Sequence, residues 1–268
     1  VRVRDLGVEA EGVNGPDAEG RVLLRRGSWN IHSRGEQLEA LRGESERAER
    51  DGLSYTDFAV ALLRTEYSVR QERKLSRGLK RSHLGTIEGL DGFDFAARPQ
   101  LDPRVVKELL NCRFIEERRN LIFVGRPGLG KTRIAKAIAH AACVRGHSVL
   151  FVNTMQMLED IHASLADRSF KRVFSRYTKP ALLVADELGY EGLDSRHANY
   201  LYRLVSARHG QGAIIVTANV GFSRWSSFFP SDSQAVPTVD RLLDRATILR
   251  FTGKSFRQPG EIHGAPLE

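Results

Sequence analysis

From about residue 104 onward, short apolar runs alternate with longer segments in which apolar residues recur every three or four positions. The runs at 121–125, 148–153, 181–187 and 213–219, and "TILRFTG" near the end, are rich in Val, Ile, Leu and Phe and read as strands. The segments at 131–145, 154–167, 169–178, 194–209 and 236–245 read as helices, with Gly146 and Gly210 as stops. "DPRVVKELLNCRFIEE" reads as one helix, with Pro103 near its first turn. Strands that are apolar throughout are covered on both faces, so the pattern predicts an α/β fold with a parallel sheet between helical layers.

Upstream the pattern changes. In "SYTDFAVALLRTEYSVRQERKLSRGLKRSH" Ser54 is a candidate N-cap with Asp57 three residues on, and Phe58, Ala61, Leu62 and Leu63 form an apolar stripe. This predicts a helical region over 53–83, broken by Gly85 and Gly89 and followed by the aromatic "GFDF" segment. "RGEQLEALRGESERAERDG" predicts a short helix interrupted at Gly43, and "EAEGVNGPDAEG" a loop or arm. The organisation expected is therefore an arm at 1–52, a helical region at 53–95, a nucleotide-binding α/β domain at 96–258 and a tail at 259–268.

Composition adds exclusions. Of 268 residues 41% are hydrophobic and 28% charged, which suits a globular protein. No run is long enough for a membrane helix and no basic-then-apolar leader is present, so a cytoplasmic location is expected. The first residue is Val1 rather than Met, as in a processed, alternative or incomplete start. Cys112 and Cys143 lack metal-ligand spacing and read as small apolar residues in a reducing compartment. Lys and Arg outnumber acids 41 to 33, a net charge of +8, which favours polyanionic partners.

"GRPGLGKT" fits the P-loop pattern with Gly125, Gly130, Lys131 and Thr132, and it lies between a strand and a helix. The loop Gly125, Arg126, Pro127, Gly128, Leu129 and Gly130, with Arg133 just beyond, would wrap backbone N–H groups around phosphate oxygens. Lys131 would reach the β- and γ-phosphates and Thr132 would offer a hydroxyl to Mg²⁺, so the ligands expected are ATP and Mg²⁺. "ALLVADELGY" brings Asp186 and Glu187 to a strand's C-terminal end, Asp186 suited to the metal and Glu187 to polarising the attacking water. "IIVTAN" ends in Asn219, whose amide suits that water, though an Asx-turn is the plain reading. Arg241 in "VDRLLDRA" is the first choice for an arginine supplied to a neighbouring subunit's phosphates, with Arg245 and Arg208 as lesser ones.

Arg70, Arg73, Lys74, Arg77, Lys80 and Arg81 fall on one helix face, offset only by Glu66 and Glu72. Such a stripe serves equally as a solvated face or as a track for a phosphate backbone. Lys171, Arg172 and Arg176 form a second basic cluster.

"NLIFVGRPGLGKT", "LLVADELGY", "IIVTANVGFSRW" and "DRLLDRATILRFTGKSFR", in that order, resemble the successive blocks of the IstB-like transposition helper ATPases, relatives of bacterial DnaC-type helicase loaders in the AAA+ class. The resemblance covers roughly residues 53–257. It implies a three-layer AAA+ core with a five-stranded sheet in the order 5-1-4-3-2, without a C-terminal lid. It further implies ATP-dependent homo-oligomerisation on duplex DNA through the basic helix, nucleotide at subunit interfaces and Arg241 as the arginine finger. The activity implied is Mg²⁺-dependent ATP hydrolysis stimulated by DNA and by assembly, with target DNA delivered to a partner transposase. Arg126 stands where the family has a small residue or Pro, and Ala185 replaces a larger aliphatic residue. Three other readings share parts of the pattern: a helicase loader acting on single-stranded DNA, a small-molecule kinase, and a non-catalytic nucleotide-dependent scaffold. The kinase would need an acceptor pocket and an arginine-bearing lid, for which little chain follows Asn219, and the intact Asp186–Glu187 pair argues against the scaffold.

Overall fold

In a computed structural model of the chain, residues 34–221 and 224–255 are described. The expected loop at 9–20 and the tail at 259–268 lie outside them. The chain divides into two compact units, residues 1–70 and 71–268.

The first unit holds helix α1 (Arg34–Asp51) and the start of α2 (Tyr55–Ser82). The expected interruption at Gly43 does not occur: α1 runs unbroken through it. A mid-helix glycine costs about 1 kcal/mol, which the surrounding Leu, Ala, Glu and Arg residues outweigh. Gly52, in the left-handed region, ends α1. Ser54 caps α2 as expected, its Oγ accepting from the Asp57 N–H at 3.2 Å and donating to Asp57 Oδ2 at 2.6 Å.

The second unit begins with the basic half of α2. Next come α3 (Pro103–Leu109), capped by the Asp102 side chain, and α4 (Arg113–Glu116), where one continuous helix was expected. The break lies at Cys112, whose φ is +61°. Leu109, Cys112, Phe114 and Ile115 are all buried, yet a straight helix would turn Phe114 roughly 140° away from Leu109. The kink lets all four face the core.

The sheet comprises β1 (Leu121–Gly125), β2 (Val149–Asn153), β3 (Leu182–Leu188), β4 (Ala213–Ala218) and β5 (Thr247–Phe251). Its order is β2-β3-β4-β1-β5 with every pair parallel, the order expected. The helices between are α5 (Lys131–Val144), α6 (Thr154–Ala163), α7 (Phe170–Thr178), α8 (Ser195–Arg208) and α9 (Asp232–Leu243). Helix α9 starts four residues before the expected 236 and contains Pro237 in its second turn. Successive strand residues face opposite layers. Leu121 and Phe123 join α3, α4 and α5, whereas Ile122 and Val124 join α6, α8 and α9. Each such side chain contributes about 1.5–3 kcal/mol.

Both cysteines are buried, and burial pushes both thiols above the ordinary range. No helix among the described residues is long and apolar enough to cross a membrane.

Candidate functional site

Parallel strands all present their C-terminal ends on one side, and the loops there build a cavity of about 500 Å³. The P-loop joins β1 to α5. Gly128 and Gly130 adopt φ of +75° and +89°, conformations that let consecutive N–H groups turn inward. Gly125 allows a second close approach: a Cβ there would collide with the backbone of Phe251 in β5. Behind the loop, the buried Arg98 donates from Nε to Leu129 O at 3.1 Å, bracing the turn from outside.

Lys131 is 5% exposed, and its ammonium donates to Gly125 O at 2.6 Å and Arg126 O at 2.8 Å. Loop carbonyls therefore stand where phosphate oxygens would take over. Thr132 Oγ1 lies 3.1 Å and 3.2 Å from the two carboxylate oxygens of Asp186. A hydroxyl and a carboxylate that converge are a hard-oxygen donor set suited to Mg²⁺. Arg133, in the first turn of α5, lines the same cavity. Its guanidinium donates to Gly89 O and Asp91 O and rests on the Phe93 ring, fastening the Glu88–Gly92 turn to the cavity wall. Arg126 is exposed and is not among the residues lining the cavity.

Successive strand residues point to opposite faces, so Asp186 and Glu187 should diverge. The β3–β4 register shifts between Ala185 and Leu188, and Glu187 takes φ +62°. This irregularity brings Glu187 to the cavity beside Asn219, while Asp186 keeps its contact with Thr132. Thr217 completes the cluster. Its hydroxyl donates to Asp186 Oδ1 and accepts the Glu187 N–H at 3.0 Å. Asn153, capping α6, donates from Nδ2 to Glu187 Oε2 at 3.0 Å.

The structure thus brings together Gly128, Gly130, Lys131, Thr132, Asp186, Glu187 and Asn219. It keeps Arg241 on α9, where its guanidinium lies 5.0 Å from the Tyr202 ring centre and donates to Pro237 O. Of the two lesser arginines, Arg208 is corrected. Arg208 is fully buried and donates to the carbonyls of Tyr177, Thr178, Ala181 and Ala213, with burial lowering its pKa to about 10. It is a brace between β3, β4 and α7, with no freedom to reach a phosphate. Arg245 lines a separate cavity of about 210 Å³ at the N-terminal ends of β1 and β4, away from the P-loop. Asn153, Thr217, Arg98 and Tyr190, which lines the cavity, were not singled out from the sequence. A Thr two residues before Asn219 and an Asn ending a strand are the only traces they leave.

Of the basic stripe, Arg70 is paired with Glu66, and Arg77 donates to Arg73 O. The Lys74 ammonium lies beside Gly146, just beyond the C-terminal end of α5, while Lys80 and Arg81 are exposed. Lys171, Arg172 and Arg176 are exposed on α7.

The pattern of the IstB-like ATP binding protein family matches residues 35–262, reaching further upstream than the motifs quoted above. The ATP-binding protein of insertion sequence IS5376 from Geobacillus stearothermophilus is 32% identical over 213 residues, 80% of this chain and 85% of that protein. Its counterpart from IS21 of Pseudomonas aeruginosa is 32% identical over 212 residues, 79% of this chain and 80% of that protein. Among solved structures, the DnaC helicase loader aligns with a TM-score of 0.49 at 20% identity, over 64% of this chain and 97% of that one.

Proposed function

Because the chain belongs to the IstB-like ATP-binding protein family, we propose that it hydrolyses ATP to time its assembly on target DNA, which it hands to a partner transposase. The observation that carries this reading is the single cavity in which the P-loop, Glu187, Thr217 and Asn219 meet. On ATP binding Lys131 exchanges its two loop carbonyls for phosphate oxygens. Thr132 and Asp186 would hold Mg²⁺, which neutralises phosphate charge when bound. Glu187 orients the attacking water and Asn219 steadies it against the γ-phosphate. Arg241, turned away from its own cavity, serves the nucleotide of the next subunit in a homo-oligomer.

ATP acts as a population shift, favouring the subunit arrangement that closes around it. The excess of positive charge and the basic face of α2 supply sequence-independent attraction to duplex DNA. The insertion-sequence origin of the relatives supports a transposase as recipient.

The test measures ATP turnover and DNA retention, with duplex and with single-stranded DNA, for wild type, Lys131→Ala and Glu187→Gln. Lys131→Ala should lose ATP-dependent DNA binding, whereas Glu187→Gln should retain it and hydrolyse on the order of 10²-fold more slowly. DNA binding indifferent to ATP in all three would sink the switch. Preference for single strands would favour a helicase-loading role instead.

A further inference from the structure

At the opposite end of the sheet from the P-loop, a cavity of about 770 Å³ lies along the edge strand β2. Six cations line it: Arg81 from the end of α2, Arg168 from the turn before α7, Lys171, Arg172 and Arg176 from α7, and Lys179 after it. No carboxylate lines it among the described residues.

The nearby acids are already engaged. Asp160 accepts the Tyr177 hydroxyl at 2.6 Å and lies 3.9 Å from Arg176, and Asp167 accepts the Ser169 N–H. Arg176 is thus partly neutralised and held over the Tyr177 ring. Arg81, Lys171 and Lys179 are exposed and pair with no carboxylate among the described residues, and Asp167 acts on Arg172 only through space.

We infer that this groove is a phosphodiester-binding channel that seats the backbone of duplex DNA. The inference rests on the DNA-binding reading above and locates it. Three features favour a polymer over a small anion. Six cations exceed what one phosphate group can neutralise. The groove is wide, and its charged heads stand in solvent rather than converging on a buried point. Arg81 also joins it to the cationic face of α2 through Arg77, one turn earlier, so the positive track continues past the helix end. Contacts of this kind set register on the backbone without reading bases.

The groove lies at the N-terminal end of β2, and the P-loop cavity lies beyond the C-terminal ends of the strands; the five residues of β2 span about 16 Å. Removing groove charge should therefore leave nucleotide affinity untouched. The experiment compares wild type, Lys171→Ala/Arg172→Ala/Lys179→Ala, and an equal-charge control, Lys107→Ala/Arg113→Ala/Arg196→Ala. Binding of a fluorescent duplex of arbitrary sequence is titrated in a non-hydrolysable ATP analogue across a salt series. Thermal melting and fluorescent-nucleotide binding monitor the fold.

The groove variant should bind at least about tenfold more weakly, with the slope of log affinity against log salt reduced by about 2.7, at roughly 0.9 per lost phosphate contact. The control should track wild type. A Lys171→Gln/Lys179→Gln variant, milder for folding, should lower the slope by about 1.8. A wild-type slope in the groove variants, or an equal loss in the control, overturns the channel while leaving DNA binding intact. Absence of any DNA binding by wild type removes the channel together with the function proposed above. Fluorescent polyglutamate is titrated in parallel; its loss in the groove variant with DNA affinity unchanged overturns the channel in favour of an acidic protein partner.

Discussion

Asn153 Nδ2 lies 3.0 Å from Glu187 Oε2, while Oδ1 of the same side chain accepts the N–H groups of Met155 and Gln156. One amide caps a helix and holds the proposed water-orienting carboxylate. The two duties separate by substitution. Asn153→Asp keeps a good cap and sets a second carboxylate against Glu187, so ATP turnover should fall on the order of 10²-fold with melting nearly unchanged. Asn153→Ala should lose about 1 kcal/mol of stability in denaturant unfolding. Turnover unaffected by Asn153→Asp would mean that the contact does not matter in the working state.

Thr217 holds Asp186 through its hydroxyl and the Glu187 backbone through the same oxygen. Thr217→Val preserves shape and removes both bonds. Activity at limiting Mg²⁺ should drop about 10–100-fold, with partial recovery at high Mg²⁺. A loss that extra Mg²⁺ leaves unchanged would place the role of Thr217 elsewhere.

Arg241→Ala should retain nucleotide and lose turnover, by about 10³-fold if it acts as an arginine finger. Mixing Arg241→Ala subunits with Lys131→Ala subunits distinguishes action across an interface from action within one subunit. Each supplies what the other lacks, so the mixture should recover activity that neither shows alone. Failure to recover, with mixed oligomers demonstrated, would return Arg241 to its contact with Tyr202 as a structural residue.

Arg208→Lys should destabilise the chain by about 3 kcal/mol or more, because one ammonium cannot serve four carbonyls held by a planar fork. Nucleotide affinity of the folded fraction at low temperature should match wild type. A variant that melts normally but hydrolyses poorly would revive a role for Arg208 in the chemistry.

Features that depend on neighbours in the chain were readable before the fold was known. The P-loop glycines, Lys131 and Thr132 lie within eight residues, and the strands announce themselves by being apolar throughout. Features that depend on pairing across the sheet were not. Asn153 and Glu187 are 34 residues apart, and Thr217 meets Asp186 only because β4 lies beside β3. Arg208 reads in the sequence as a candidate for a neighbour's phosphates because its four carbonyl partners are contributed by three other segments. Gly43 and Cys112 misled in opposite directions: glycine bent nothing where helix formers surrounded it, and a cysteine turned the chain where burial required a corner.

Gly125 has no room for a side chain because the backbone of Phe251 lies against it, and β1 pairs with strands that arrive only at residues 213 and 247. During synthesis the phosphate loop therefore emerges early and waits unsupported, since the strand on its outer side is translated 122 residues after β1 ends. A truncated or stalled chain carries the entire nucleotide motif without its β5 support.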